Sequence, residues 1–318
     1  MFARRLMSTQ AEFDQQYDAL RRGCGMVELA DWSSVTLAGA DRQKFLNSFC
    51  TNDVKKLLPG ESCEAFIPNA KGRILGHGLI ICRDDELVFV GAPNQAARII
   101  EHLDRYIIRE DVQLKDSTQT RRYLLVAGGA HAHECYSGVS PSEYITWNPT
   151  GSLFAGLFES SSGELPPLIS MMADRGFVRV DAPVFDAARV EAGMPLFGVD
   201  FDEHNFPQEV DRDREAISFT KGCYLGQETV ARIDALGHVN QKIVGVRFSG
   251  AEVPAAGTEL SKDGAKVGTV TSAAFLPRLG ALLALAMVRR EANSPGTRLE
   301  SAVGIGEVVS LPAKPVDE

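Results

Sequence analysis

The stretch after Gly237 constrains the fold more than any other part of this 318-residue chain. It contains short runs rich in β-branched and small apolar residues, broken by glycine, proline or charged residues: KIVGVRF, KVGTVTSAAF, ALLALAMVRR and GEVVSLP. Runs of this length with turn residues between them are typical of antiparallel strands. We therefore expect residues 238–318 to form a small C-terminal β-barrel.

The preceding part of the chain mixes predicted helices with a predicted hairpin. Helices are expected at Ala11–Arg22 with Ser8 as the cap, at Asp41–Phe49 and from Pro93, and paired strands at Ile74–Ile81 and Glu86–Val90. Helices interleaved with hairpins favour an α+β fold over a doubly wound parallel sheet. We divide this part into an N-terminal α+β domain, residues 1–120, and a second α+β domain, residues 121–237.

Composition narrows the class of protein. The net charge of −9 argues against bulk nucleic-acid binding, which depends on Lys and Arg neutralising phosphates. The longest apolar stretch, Ala281–Val288, is shorter than the roughly 20 residues of a membrane-spanning helix. Six cysteines without a CxxC pair fit reduced thiols rather than a disulfide framework or a zinc site. A cytoplasmic protein with no membrane or direct nucleic-acid partner is the expectation.

The segment KGCYLGQE carries the strongest chemical signal. Its two glycines permit a tight backbone path around Cys223. Lys221 would share the side of the thiol if the chain is extended, and a helix expected after Gly226 would add its N-terminal dipole. Together they would favour the thiolate and make Cys223 reactive or able to bind a ligand. The alternative is a glycine-bearing turn in which Cys223 is a small buried residue.

The segment RVEAGMP follows a predicted helix, VFDAARVEAG. A carboxylate at the end of this helix, Glu191, would accept two hydrogen bonds from a guanidine-like edge if it faced a cavity. The alternative is a solvated glutamate beside Arg189.

Two further clusters have simpler interpretations. His131, His133 and Cys135 resemble metal ligands in composition, but they follow two glycines in a predicted loop without a second ligand cluster, so a solvated loop is favoured and no metal is predicted. The run Asp211–Glu215 alternates in charge and is expected to be an exposed surface segment whose charges compensate one another. The alternative is that its arginines face an anionic ligand.

The sequence resembles the YgfZ-type branch of the aminomethyltransferases of glycine cleavage. KGCYLGQE resembles the KGCYxGQE signature of that branch at every defined position, and RVEAGMP resembles an element shared with the enzymes. LADW with SSVTLAGADRQKFLNSFCTNDV, NAKGRIL, and FPQE with ISFTKGCY resemble further family segments. The resemblance implies a three-domain ring of the aminomethyltransferase type, with two α+β domains, a small C-terminal β-barrel and tetrahydrofolate or a derivative in its central opening.

The resemblance also implies roles for individual residues. Glu191 matches the glutamate that reads the pterin, Trp32 matches an aromatic of the folate site, and Phe185 falls where a second aromatic can line it. Cys223 matches the signature cysteine, which is flanked by Lys221 and Tyr224. The other candidate cofactor-binding residues are Arg189, Gln227 and Glu228.

One departure from the enzymes concerns ILGHGL. The enzymes carry an acidic pair here, whereas this chain has glycine and His77. A histidine can move a proton but supplies no fixed negative charge opposite a developing cation. The implied function is therefore an accessory protein that binds tetrahydrofolate and supports assembly or repair of iron–sulfur proteins, and thereby tRNA modification. The alternatives are a folate-dependent one-carbon transferase that uses His77 or another base, and a folate-sensing module in which Cys223 is structural.

Overall fold

The computed structural model describes residues 9–135, 144–160, 164–250 and 252–314. In these ranges the chain forms two five-stranded sheets, each with helices, and one closed six-stranded barrel. The expected α+β class and the C-terminal barrel are confirmed. No helix of the described residues is long and apolar enough to cross a membrane.

The first sheet is formed by strands between residues 33 and 116. Its strands are β2 (Ser33–Ala38), β3 (Ser62–Pro68), β4 (Ile74–Cys82), β5 (Glu86–Gly91) and β6 (Gln113–Asp116), in the order β3-β4-β5-β2-β6. Helices α2 (Arg42–Asn47) and α3 (Ala96–Asp104) pack against it. The face of α3 that carries Ile99 and Leu103 is buried in this core, as the spacing of its apolar residues predicts.

The second sheet begins earlier in the chain than expected. Its strands are β1 (Cys24–Glu28), β7 (Arg122–Gly128), β8 (Ile145–Thr146), β9 (Phe154–Ser160) and β10 (Val178–Arg179), in the order β10-β1-β7-β9-β8. Helix α1 (Gln10–Arg21) packs against β1. The division at residue 120 therefore misplaces residues 10–28, because β1 pairs in antiparallel register with β7 rather than with the first sheet.

Two local expectations in this unit also differ from the structure. Ser8, the expected cap of α1, lies outside the described residues, and the helix is capped by Thr9 in a capping box with Glu12. Residues 130–135 form a helix, α4 (Ala130–Cys135), where a loop was expected. The side chains of His133 and Cys135 lie outside what the structure describes. Helix α5 (Pro166–Asp174) begins at the proline pair.

The barrel closes without a free edge. Its strands are β11 (Gln241–Phe248), β12 (Glu259–Lys262), β13 (Ala265–Leu276), β14 (Ala281–Arg289), β15 (Arg298–Ser301) and β16 (Gly304–Val309), in the order β11-β14-β13-β12-β15-β16, with β16 pairing back to β11. Alternate residues fill the interior, among them Val246, Leu260 and Ala284. Closure satisfies the strand edges that an open sheet would expose.

Three helices connect the second sheet to the barrel: α6 (Ala182–Ala192), α7 (Asp213–Ala216) and α8 (Gln227–Leu236). Helix α6 packs against α1 on one side and against β13 and β14 on the other. A single apolar cluster therefore contains Phe66 of the first sheet, Tyr123 of the second and Leu285 of the barrel. This cluster joins the three units, and further apolar clusters lie within the individual units.

Candidate functional site

A small cavity lies where the two sheets and the segment after α6 meet. Its volume is about 10 Å³, and it is lined by Trp32, Glu64, His77, Gly78, Gly91, Ala92, Trp147, Met194, Leu196 and Phe197. Ligand pockets usually have roughly 300–1,000 Å³. A ligand the size of a folate would therefore have to displace lining side chains as it binds.

The two tryptophans of the chain meet in this cavity. The rings of Trp32 and Trp147 are in an edge-to-face arrangement with their centroids 5.4 Å apart. Both are largely buried, and the Nε1 group of Trp147 has no hydrogen-bond partner among the described residues. A buried donor without a partner is uncommon in native structures, and a ligand or ordered water that accepts its hydrogen bond would account for it.

Glu64 and His77 form a buried polar pair on the neighbouring strands β3 and β4. The Nε2 of His77 lies 2.8 Å from the Oε1 of Glu64, and the guanidinium of Arg212 donates to both carboxylate oxygens at 2.9 and 2.6 Å. Burial alone would raise the pKa of Glu64, but the hydrogen bonds from Arg212 and His77 outweigh it and lower this pKa to about 2. Glu64 is therefore ionised and its charge is balanced by Arg212.

His77 is held in place on three sides. Its ring stacks on Phe66 with centroids 4.6 Å apart and meets the edge of Phe201, and its backbone N–H donates to the side chain of Gln95 at 2.7 Å. Its Nδ1 makes no hydrogen bond within the part of the chain that the structure describes. The ring is thus fixed by its Nε2 contact with Glu64, with one nitrogen unpaired.

Sequence reasoning missed Glu64, Arg212 and Trp147. Arg212 was expected to be exposed in the charge run Asp211–Glu215, which is wrong because Arg212 folds inward onto Glu64 and is largely buried. No local signal distinguishes Glu64 in SCEAFIP from any polar residue of a strand. The partners come from positions 148 residues apart, so only the tertiary structure brings them together.

Glu191 is fully buried near the end of α6, which rules out the solvated alternative. Its carboxylate accepts hydrogen bonds from Tyr17, from Arg21 at 3.3 Å and from the Nε of Arg278 at 2.7 Å. Burial raises the pKa of Glu191. The guanidine-like groups expected as ligands of this carboxylate are therefore present, but they are arginines of the chain itself, and Glu191 does not line the cavity described above.

Phe185 and Arg189 also lie outside the lining of the cavity. Phe185 packs in the shared apolar core. The guanidinium of Arg189 is saturated by Asp186 at 2.7 Å, Asp200 at 2.8 Å and the hydroxyl of Ser272 on β13 at 2.8 Å. Arg189 thus joins α6 to the barrel, and of the predicted folate residues only Trp32 lines the cavity.

Lys221 points away from the thiol that it was expected to accompany. Its Nζ is buried and donates to the carbonyl oxygens of Asn47, Cys50 and Asn52, each at 2.7 Å. These carbonyls follow the end of α2, where unpaired carbonyls need donors. Lys221 therefore anchors KGCYLGQE to the first unit. Its Nζ also lies 3.8 Å from the Sγ of Cys50.

Cys223 is exposed, which excludes the buried-cysteine alternative, and it lies three residues before Gly226, the N-cap of α8. Tyr224 is buried, its ring 5.0 Å from the Lys221 ammonium, and burial raises its pKa. Gln227 and Glu228 begin α8, with Gln227 accepting a weak hydrogen bond from the backbone of Tyr224 at 3.4 Å. The loop therefore presents one thiol at the surface of a firmly held segment.

Gly226 explains the second glycine of the segment. Its φ is +82°, and a Cβ there would lie 2.4 Å from the carbonyl oxygen of Asn69. The same Cβ would lie 3.0 Å from the Cα of Gly72, whose own φ is +77°. Glycine is required because the start of α8 touches the β3–β4 turn.

The sequence models of two domains match this chain. Residues 2–144 match the GCVT N-terminal domain, and residues 241–318 match the glycine cleavage T-protein C-terminal barrel domain. These matches cover the first sheet and the entire barrel.

Several described proteins are similar to this chain along most of its length. A tRNA-modifying protein YgfZ of Yersinia pestis is 26% identical over 78% of this chain and 79% of its own. An aminomethyltransferase of Halothermothrix orenii is 24% identical over 94% of this chain and 90% of its own. A putative chloroplastic transferase of Arabidopsis thaliana is 25% identical over 93% of this chain and 72% of its own.

A solved structure confirms the fold. The glycine cleavage system aminomethyltransferase T of Bartonella henselae superimposes with a TM-score of 0.82, covering 94% of this chain and 89% of its own at 19% identity. Both terminal domains, the relatives and this fold agree. The chain therefore belongs to the glycine-cleavage T-protein family, as a YgfZ/GcvT-like protein.

Proposed function

We propose that this chain binds tetrahydrofolate or a derivative in the cavity lined by Trp32, and that it supports the assembly or repair of iron–sulfur proteins and thereby tRNA modification. The family includes aminomethyltransferases and YgfZ proteins described as tRNA-modifying. The observation that carries the proposal is the enclosed junction of Trp32, Trp147 and the Glu64–His77 pair.

Each element of this junction suits a pterin. Two aromatic rings offer faces and edges for a flat heterocycle. The unpaired Nε1 of Trp147 offers a donor to a ligand carbonyl, and the unpaired nitrogen of His77 offers a second polar contact. Because ligand pockets combine apolar walls with a few fixed polar groups, this composition fits the uncharged pterin ring of a folate.

The same residues argue against aminomethyl transfer. Glu64 is the carboxylate of this cavity, and both of its oxygens are already bound by Arg212 and His77. It therefore offers little uncompensated negative charge to a developing cation. A role without turnover at the folate fits this balance of charge.

The surface thiol suits a transient contact with another protein. Cys223 is exposed, whereas Cys24, Cys50 and Cys82 are buried and Cys63 is partly buried. An iron–sulfur cluster takes four thiolates as a rule. Cys223 would thus contribute one ligand or one redox thiol to a cluster whose other ligands belong to a partner.

Calorimetric titration with 5-formyltetrahydrofolate tests the folate site. We expect saturable binding by the intact chain, and a loss of affinity of at least tenfold, about 1.4 kcal/mol, in Trp32→Ala. Phe275→Ala removes an exposed aromatic ring of the barrel and serves as the control, with affinity unchanged. No binding by the intact chain, or equal binding by Trp32→Ala, would refute the site.

Replacement of the chain in its host by Cys223→Ser tests the accessory role. We expect reduced activity of iron–sulfur enzymes and reduced thio-modification of tRNA, with folate binding by the purified variant intact. Wild-type levels of both readouts would refute a role for the thiol.

A second candidate function, one-carbon transfer, is favoured by one observation. His77 is hydrogen-bonded to an ionised carboxylate and has a second ring nitrogen unpaired, which is the arrangement of an oriented general base. Turnover of a folate-bound one-carbon unit that Cys223→Ser retains and His77→Gln loses would select this candidate.

A further inference from the structure

A second cleft lies between the end of α8 and the start of the barrel. Its walls include Gln208 of the turn Pro207–Glu209, Asp213 of α7, Asp234 of α8, and Lys242 and Arg290 of the barrel. Its volume is about 300 Å³. This volume lies at the lower end of the range of small-molecule pockets.

Gln208 presents a fixed acceptor to this cleft. The residue is 6% exposed, and its Nε2 donates to the carbonyl of Val230 in α8 at 2.7 Å. Exchanging the amide oxygen and nitrogen would set two oxygens against each other, so the contact fixes the orientation of the amide. The Oε1 is buried and has no hydrogen-bond partner among the described residues.

Asp213 presents a second acceptor of the same kind. Its Oδ1 is buried without a hydrogen-bond partner, and the carboxylate makes no ion pair in the described part of the chain. Burial is the main reason that the pKa of Asp213 is raised, to about 6, and Asp211 adds to it. A buried acceptor without a donor destabilises the folded chain, so two in one cleft indicate a missing donor.

The charges around these acceptors define the donor. Lys242 is already paired with Asp211 at 2.6 Å. Asp234 has no ion-pair partner among the residues described, and Arg290 is exposed at the rim. His238 contacts the carbonyl of Leu236 at 2.9 Å. Asp213 and Asp234 therefore have no ion-pair partner among the described residues, although the charge of Lys242 acts on Asp213 from within the cleft.

We propose that this cleft binds a cationic nitrogen donor, an alkylguanidinium or alkylammonium group, with Gln208 and Asp213 as the acceptors. Such a group supplies both N–H donors and a positive charge, as an unpaired amide oxygen and an unpaired carboxylate require. A divalent metal fits less well. Within the described residues, only the exposed trio Asp202, Glu203 and His204 brings three ligand atoms within metal-binding distance of one another.

The cation could come from a free amine or from an arginine side chain of another protein. Titration of the full chain with agmatine and, separately, with the capped tripeptide acetyl-Gly-Arg-Gly-amide distinguishes the two. Binding of agmatine alone assigns the site to a free amine, and binding of both assigns it to an arginine side chain. Either result supports the proposal.

The test variant is Asp213→Asn, which keeps the shape of the side chain and removes its charge. We expect at least tenfold weaker binding of the probe, with a melting temperature equal to or above that of the wild type. Asp104→Asn removes an exposed carboxylate of α3 and is the charge-matched control, with binding unchanged. If Asp213→Asn fails to fold, Asp234→Asn at the same cleft replaces it, with about threefold weaker binding expected.

Three results would overturn the proposal. The first is no saturable binding of either probe by the intact chain. The second is equal binding by the wild type and the cleft variant. The third is a crystal structure grown with agmatine in which ordered water alone contacts Gln208 and Asp213.

Discussion

Replacing Glu64 by glutamine isolates the charge balance at the centre of the molecule. The pKa of Glu64 falls from 4.5 to about 2 on folding, although burial opposes the shift. One pKa unit corresponds to about 1.4 kcal/mol, so the ionised carboxylate stabilises the fold by about 3 kcal/mol at neutral pH. Glu64→Gln keeps the shape but leaves the buried Arg212 without a carboxylate. Loss of one partner of a buried pair typically costs about 3–5 kcal/mol.

The same shift predicts a dependence on pH. Because the pKa is lower in the folded chain than in the unfolded chain, the stabilisation is complete above about pH 4.5 and disappears as the pH falls toward 2. Between pH 6 and pH 3, the wild type should lose about 2 kcal/mol that Glu64→Gln does not lose. The gap between the two proteins should therefore narrow at low pH.

Urea unfolding at pH 6, 4 and 3, followed by the fluorescence of Trp32 and Trp147, measures both effects. Glu259→Gln is the matched control, since Glu259 and Lys266 form an exposed pair and such pairs contribute about 0–1 kcal/mol. The reasoning would be refuted if the free energy of unfolding of Glu64→Gln at pH 6 were less than 1 kcal/mol below that of the wild type. It would also be refuted if the unfolding free energies of the two proteins changed equally with pH.

Three further predictions concern the KGCYLGQE segment. Lys221→Met should lower the free energy of unfolding by about 2 kcal/mol, because one buried and two partly buried carbonyls lose a charged donor, and an unchanged urea midpoint would contradict this. In a Cys135→Ser background, Ellman's reagent should modify one thiol quickly in the folded chain, and none quickly once Cys223→Ser is added. The reason is that burial raises the pKa of Cys50 to about 11 and that of Cys63 to about 12. A fast phase that survives Cys223→Ser would contradict this prediction. Gly226→Ala should destabilise the chain by more than 1 kcal/mol in the same urea assay, and tolerance of the new Cβ would show that the contact with Asn69 can relax.

Local patterns predicted most of the helices and strands. The paired strands at Ile74–Ile81 and Glu86–Val90 and the four barrel segments each depend on neighbours in the sequence, and the structure confirms them. The second sheet was harder, because β1 pairs with a strand that begins almost 100 residues later. Such a pairing leaves no mark in the spacing of CGMVE.

The residues of the candidate site show the same difference between what local sequence and what tertiary contacts determine. Trp32 was found through the resemblance to the family, and it lines the cavity. Glu191 and Lys221 were also singled out, but their partners are arginines and carbonyls of distant segments. Whether such residues face a ligand or the chain itself depends on tertiary contacts. Glu64 and Arg212 show the converse, since an ordinary strand residue and a presumed surface arginine form the buried pair.

A crystal structure of the chain with 5-formyltetrahydrofolate tests the central claim most directly. The account predicts the pterin against Trp32, in a cavity much wider than the present 10 Å³, with the Nε1 of Trp147 donating to the ligand. Density for the pterin at Glu191 instead, with Arg278 displaced from that carboxylate, would contradict it and move the folate site to the end of α6.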